Sequence, residues 1–235
     1  MRRTLTIGNP KTMKGEAAGY KTAVLHLAPA DLSGTNVCPW ATAGCKAACL
    51  NTAGRGGIMR KGETTNAIQQ ARLRRTRDYV EDRQGFLTRL HDEVAAFVRS
   101  ARKAGLIPAV RLNGTSDLDL SGFVEQFPDV QFYDYTKSPQ RIKRYVTGQL
   151  PPNYHLTYSL TERDESWTTA QAALADGVNV AVVFDKVPAK FMGYDVIDGD
   201  AHDLRFLDRQ GVIVGLKAKG KAKRDTTGFV KRLAA

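Results

Sequence analysis

With 235 residues, 42% of them hydrophobic and 25% charged, the chain is long enough for one sizeable core, which excludes wholesale disorder and fibrous architectures. No apolar run could span a bilayer, and the opening MRRTLTIGNPKTMKG lacks a secretory stretch, so a cytoplasmic protein with no membrane partner is expected. The net charge of +11 suits nucleic acid, and equally suits a basic surface that meets only water.

The first expected strand is KTAVLHLAP, residues 21–29. It is followed by a loop over residues 31–57, DLSGTNVCPWATAGCKAACLNTAGRGG, rich in glycine and other small residues. Next comes a helix on which Ile68, Ala71 and Tyr79 mark an apolar stripe. Arg72, Arg74, Arg75 and Arg77 are then free to fan over its solvent side and meet phosphates. Phe86, Leu87, Leu90, Val94, Phe97, Val98 and Ala101 keep helical spacing over four turns, with Gly105 and Pro108 as the stop.

From Ala109 onward short β-prone runs alternate with helical stretches: AVRLN, VQFYDYTK, YHLTYSL and NVAVVFD. Their matching points Ala109, Gln131, His155 and Asn179 lie 22, 24 and 24 residues apart, the length a strand, a helix and two turns consume. Ser138 and Pro139 form an N-cap and first-turn pair, and a further helix runs from Glu165 to Gly177. YDVIDGD and GVIVGLKA complete about seven mostly parallel strands. The expected fold is a single α/β domain over residues 1–235, a partial or open (βα) barrel of TIM type, with a doubly wound sheet as the alternative.

The three cysteines, Cys38, Cys45 and Cys49, are spaced C-x6-C-x3-C in the loop after the first expected strand. An odd number of clustered thiols is a poor disulfide framework and a reasonable metal site. Three thiolates can hold three irons of a 4Fe-4S cluster and leave the fourth open, with Pro39 and Trp40 as a shield on one side. Zinc is the competitor, its fourth ligand drawn from His26, His91, His155 or His202, and ordinary buried thiols are the third reading. The glycines around Arg55 could wrap a phosphate or form a plain loop, and residues 198–203, DGDAHD, read as an acidic turn.

A cysteine triad in this place resembles the radical S-adenosylmethionine superfamily, although the spacing departs from its usual C-x3-C-x2-C. More closely, CPWATAGCKAAC, VRLNGTSD, FYDYTK and DGDAHDLRF resemble the stations of a bacteriophage family of the gene product eighty-eight type, over roughly residues 21–221. The first resemblance implies a cluster that binds S-adenosylmethionine through its open iron. The second implies a phage-encoded protein working in the host cytoplasm.

Every expected strand ends in polar residues, and in a βα fold these ends share one rim. Asn113, Ser116, Asp117, Tyr135, Lys137 and Lys217 are therefore the candidates for a pocket facing the open iron, with Asp117 accepting from an ammonium or hydroxyl of the ligand. A small molecule or nucleotide, S-adenosylmethionine included, would suit such a pocket. Two functional readings follow. One is an iron-sulfur enzyme of radical-SAM-like chemistry; the other is a zinc-stabilised nucleic-acid-binding protein without catalysis.

Overall fold

The computed structural model describes residues 3–8 and 13–233. Nine strands form one sheet: β1 (Leu5–Ile7), β2 (Tyr20–Leu25), β3 (Ile107–Arg111), β4 (Gln131–Thr136), β5 (Tyr154–Ser159), β6 (Val180–Phe184), β7 (Lys190–Phe191), β8 (Tyr194–Asp198) and β9 (Ile213–Lys217). Their order is β1-β2-β3-β4-β5-β6-β9-β8-β7. From β2 to β8 every neighbouring pair is parallel, and the two end strands are antiparallel to their neighbours.

The fold is thus mixed α/β with a mostly parallel sheet that does not close on itself. Two short strands exceed the expected seven. The run of residues 21–29 is the second strand rather than the first, because Leu5–Ile7 pairs against it with Leu5 opposite Leu25. A three-residue edge strand carries too little periodicity to be read locally.

Among the described residues six α-helices accompany the strands: α1 (Ala43–Ala47), α2 (Ala67–Glu81), α3 (Arg83–Lys103), α4 (Ser121–Val124), α5 (Pro139–Val146) and α6 (Asp164–Ala175). Helix α3 buries Phe86, Leu90, Val94, Phe97, Val98 and Ala101, as its spacing demands, and Gly105 leaves it at positive φ. Each large apolar side chain so buried contributes roughly 1.5–3 kcal/mol. Ser138 caps α5 by accepting from the Arg141 amide at 3.2 Å, with Pro139 in the first turn.

Strand alternation divides the sheet into two faces. Phe132, Leu156, Val180 and Val182 join the main core with residues of α3, α5 and α6. The other face carries Ala109, Tyr133 and, further along, Arg111, Tyr135 and Lys137, since successive side chains point oppositely. Leu204 and Phe206, from the turn after β8, pack against Ala109, Tyr133 and Tyr20. A cavity above them is lined from β3, β4, β5, β6 and β9 together.

Candidate functional site

The cavity, about 190 Å3, lies at the carboxyl ends of the parallel strands, and all three cysteines line it. The loop that carries them is held by specific backbone contacts. Thr42 caps α1, and Glu162, just past β5, accepts from the Thr42 hydroxyl at 2.7 Å and the Gly44 amide at 2.9 Å. A Cβ on Gly44 would lie 2.8 Å from the Glu162 carboxyl and collide with Thr227, so both side chains would have to shift to admit one.

The three thiols are free and half-buried, and two of the sulfurs accept from backbone amides. Ala30, whose φ of 49° is unusual for a residue with a Cβ, turns its amide onto Cys38 Sγ at 3.2 Å. The Asn51 amide donates to Cys49 Sγ at 3.5 Å, while Cys45 lies close enough to Lys137 to favour the lysine's charge. Burial pushes the Cys38 thiol up to about 11, against the pull of the Ala30 amide, and also raises Cys49. Among the described residues, no three His, Cys, Asp or Glu side chains converge closely enough to hold a metal ion. The sulfurs therefore share a cavity wall without meeting at a common point.

All six pocket candidates, Asn113, Ser116, Asp117, Tyr135, Lys137 and Lys217, line the same cavity. Their roles differ. Asn113 is a stitch: its amides reach Asp134 at 2.7 and 3.1 Å, and its side-chain oxygen accepts from Ser116 and Leu118.

Asp117, expected to accept from a ligand, is instead paired with buried Arg141 at 2.6 Å and accepts from the Lys137 amide at 2.8 Å. The nearest cation claims the carboxylate because leaving Arg141 buried and unpaired would cost more than any exposed contact returns. Tyr135 lies under the Arg111 guanidinium, 4.6 Å from ring centroid to Cζ. Lys137 Nζ donates to Ser159 Oγ at 3.0 Å; burial opposes its charge, but Cys45 and Asp117 hold its pKa above the usual lysine value. Lys217, at the end of β9, is exposed at the rim.

The α2 arginines do not fan outward as a group. The buried positions of this helix are Gln69, Thr76 and Tyr79, so its inward face is polar and Ile68 is exposed. Arg72 turns in behind the cysteine loop, donating to Asn51 Oδ1 at 2.6 Å, and burial lowers its pKa. Arg75 reaches the carbonyls of Arg3 and His26, Arg74 is half-buried, and only Arg77 is exposed. The apolar stripe misled because the cysteine loop, itself polar, is what this helix covers. Trp40 is likewise 40% exposed and does not line the cavity.

The glycines near Arg55 form an ordered 3-10 turn over Gly54–Gly57, clasped by Asn66 Nδ2 through the carbonyls of Arg55, Gly56 and Ile58.

Several lining residues escaped the sequence reading. Arg111 donates to Asp203 at 3.1 Å; burial opposes its charge, and Asp203 and the neighbouring tyrosines restore it. Asp200 receives Lys219 Nζ at 2.6 Å, so the acidic turn supplies partners for pocket cations. Phe229 and Ala222, from the C-terminal segment, form the apolar wall beside Ala48. An arginine inside the apolar run AVRLN was a usable signal for the first; nothing local marks Phe229.

Fold and site together define an open-sheet α/β protein with a cysteine-lined pocket at its strand ends. The gene product 88 profile matches residues 3–233, and the chain belongs to that bacteriophage protein family. No curated protein and no solved structure matches the chain. No helix among the described residues is long and apolar enough to cross a membrane.

Proposed function

We propose that this chain is an iron-sulfur protein whose 4Fe-4S cluster is held by Cys38, Cys45 and Cys49 and whose open position faces a small-molecule or nucleotide ligand in the strand-end cavity. The observation that carries this reading is that all three sulfurs line one cavity, two of them accepting from backbone amides and the third lying beside Lys137. The N–H donors pull Cys38 and Cys49 toward the thiolate that a metal ligand requires, against the burial that favours the thiol. A cluster held by three thiolates would supply one open coordination position for an electron-accepting or radical-generating ligand, S-adenosylmethionine among them. The open sheet is read, on the same view, as a partial (βα) barrel.

The chain's own residues supply the rest. Lys137 donates to Ser159 Oγ and lies near Cys45, so it offsets thiolate charge and offers a donor to a ligand carboxylate or phosphate. Arg111 and Tyr135 form the cavity floor, and Ala222 with Phe229 keeps one wall dry.

Closed zinc coordination is less well supported by the side chains present. None of His26, His91, His155 or His202 lines the cavity, and the carboxylate nearest Cys38, Asp117, is already committed to Arg141. Because Cys38 and Cys49 are held protonated by burial, loading must expel protons and the loop must draw the sulfurs together.

The test is anaerobic reconstitution with ferrous iron and sulfide, followed by iron, sulfide and zinc analysis. A brown chromophore with iron and sulfide in cluster proportion, lost in each single Cys→Ala variant, is expected. Colourless protein carrying stoichiometric zinc would overturn the reading. Spectral change on adding S-adenosylmethionine to the loaded protein decides whether that ligand reaches the open iron.

A further inference from the structure

A second cleft, about 860 Å3, opens on the other side of the cysteine loop. The two cavities share a thin partition. Leu50 lines the first and Asn51 and Thr52 the second, while across from them Lys219 and Ala222 line the first and Gly220 and Lys221 the second. The partition is tight: the Lys221 amide donates to Thr52 Oγ1 at 3.3 Å, and a Cβ on Gly220 would lie 2.5 Å from the Thr52 carbonyl oxygen.

The charge of this cleft is one-sided. Lys221, Lys223 and Arg224 line it from the 3-10 turn Gly220–Arg224, all three are exposed, and no Asp or Glu is among its lining residues. None of the three makes an ion pair among the described residues, whereas Lys219, one turn back, is taken by Asp200. The opposite wall offers the hydroxyls of Thr64 and Thr65 together with Met59, and Arg60 and Lys61 stand exposed between them in the chain. The acids next to lining residues in the chain are already engaged: Glu63 accepts from the Arg60 amide at 3.2 Å, Asp31 pairs with Lys46, and Asp225 accepts from Thr227 and the Val230 amide. Unpaired cations on one wall, hydroxyl donors on the other and an apolar side chain between them match a phosphodiester backbone with its bases turned aside.

We infer that this cleft binds single-stranded polynucleotide and leads one nucleotide across the partition to the cysteine-lined cavity. The polymer is favoured over a lone nucleotide because exposed cations stand on both sides of the cleft, Lys221, Lys223 and Arg224 lining it from one turn and Arg60 and Lys61 following the lining residue Met59. A single strand is favoured because a base must be unpaired to reach the recessed cavity. The second half of the inference rests on the reading of that cavity as the reactive centre; the first does not.

Fluorescence anisotropy of a labelled mixed-sequence single-stranded oligonucleotide, with full-length protein of measured metal content, tests the cleft. Binding at low salt should fall steeply as salt rises. The triple variant Lys221→Gln, Lys223→Gln, Arg224→Gln should weaken binding about tenfold or more and reduce the salt slope by about 2. Arg77→Gln, one exposed cation lost elsewhere, should stay within about twofold of wild type. An unchanged melting temperature in the triple variant shows that it folds.

No binding at low salt, wild-type affinity in the triple variant, tighter binding of duplex, or equal competition by inorganic phosphate would overturn the cleft. For the passage to the cavity, saturating oligonucleotide should slow alkylation of Cys45 and Cys49 in metal-free protein, and unprotected thiols would overturn that half alone. Neither result depends on whether iron or zinc is found, so the two proposals fail separately.

Discussion

Asp117 and Arg141 form the most consequential single pair in the pocket wall. The carboxylate and guanidinium are 5–10% exposed and 2.6 Å apart, and Arg141 also donates to the Tyr154 hydroxyl at 2.7 Å. Asp117→Asn keeps the shape but leaves Arg141 buried with a neutral partner, an error of about 3 kcal/mol or more. Urea denaturation should show that loss, where a purely ligand-facing Asp117 would leave stability unchanged. Gly44 is the second such residue. Gly44→Ala forces Glu162 and Thr227 away from the start of α1, so a loss of about 1–3 kcal/mol is expected in thermal melts. A melting temperature equal to wild type would mean that the Glu162 clamp is looser than its hydrogen bonds imply.

At the scale of elements, the loop–helix junctions after the strands do the positioning. Helix α5 starts at Ser138, directly after Lys137, so its cap also sets where the Lys137 ammonium stands. Ser138→Ala removes the acceptor for the Arg141 amide and should cost about 1 kcal/mol. The same variant should weaken the iron-to-protein ratio on reconstitution only slightly, since the Lys137 amide is still held by Asp117. A large stability loss with no cap effect in amide exchange at Arg141 would argue against this account. Helix α2 illustrates a different lesson: its polar inner face, Gln69 and Arg72 included, exists to satisfy the carbonyls and the Asn51 side chain of the cysteine loop.

For the whole molecule, two half-buried histidines contribute to the response to acid. Burial lowers His26 to about 3 and His155 to about 4, from an ordinary 6.5, with nearby arginines adding to both. Each group is neutral in the fold and protonates first in the unfolded chain, so the unfolded state binds more protons between these values. Stability must then fall as pH drops below about 6.5, by about 1.4 kcal/mol per pH unit for each histidine, and level off only near or below 4. His155→Gln should flatten this acid limb in melts taken across the window. An unchanged limb would place the acid sensitivity elsewhere.

Local patterning already contained the parallel strands after residue 107, the long α3 and the Ser138–Pro139 cap, because periodicity, capping and strand-helix length are properties of neighbouring residues. It also marked the three cysteines and the polar strand ends, since a βα chain has only one rim on which to place them. What it could not contain were the contacts that decide each residue's role. Arg111 finds Asp203 across 92 residues, Ala48 meets Phe229 only through the returning C-terminal segment, and Asp117 becomes a wall residue because Arg141 arrives beside it. Charge pairing and desolvation act through space, so side chains of the same type, such as Arg72 and Arg77 on one helix, end with opposite fates once the loop they cover is in place.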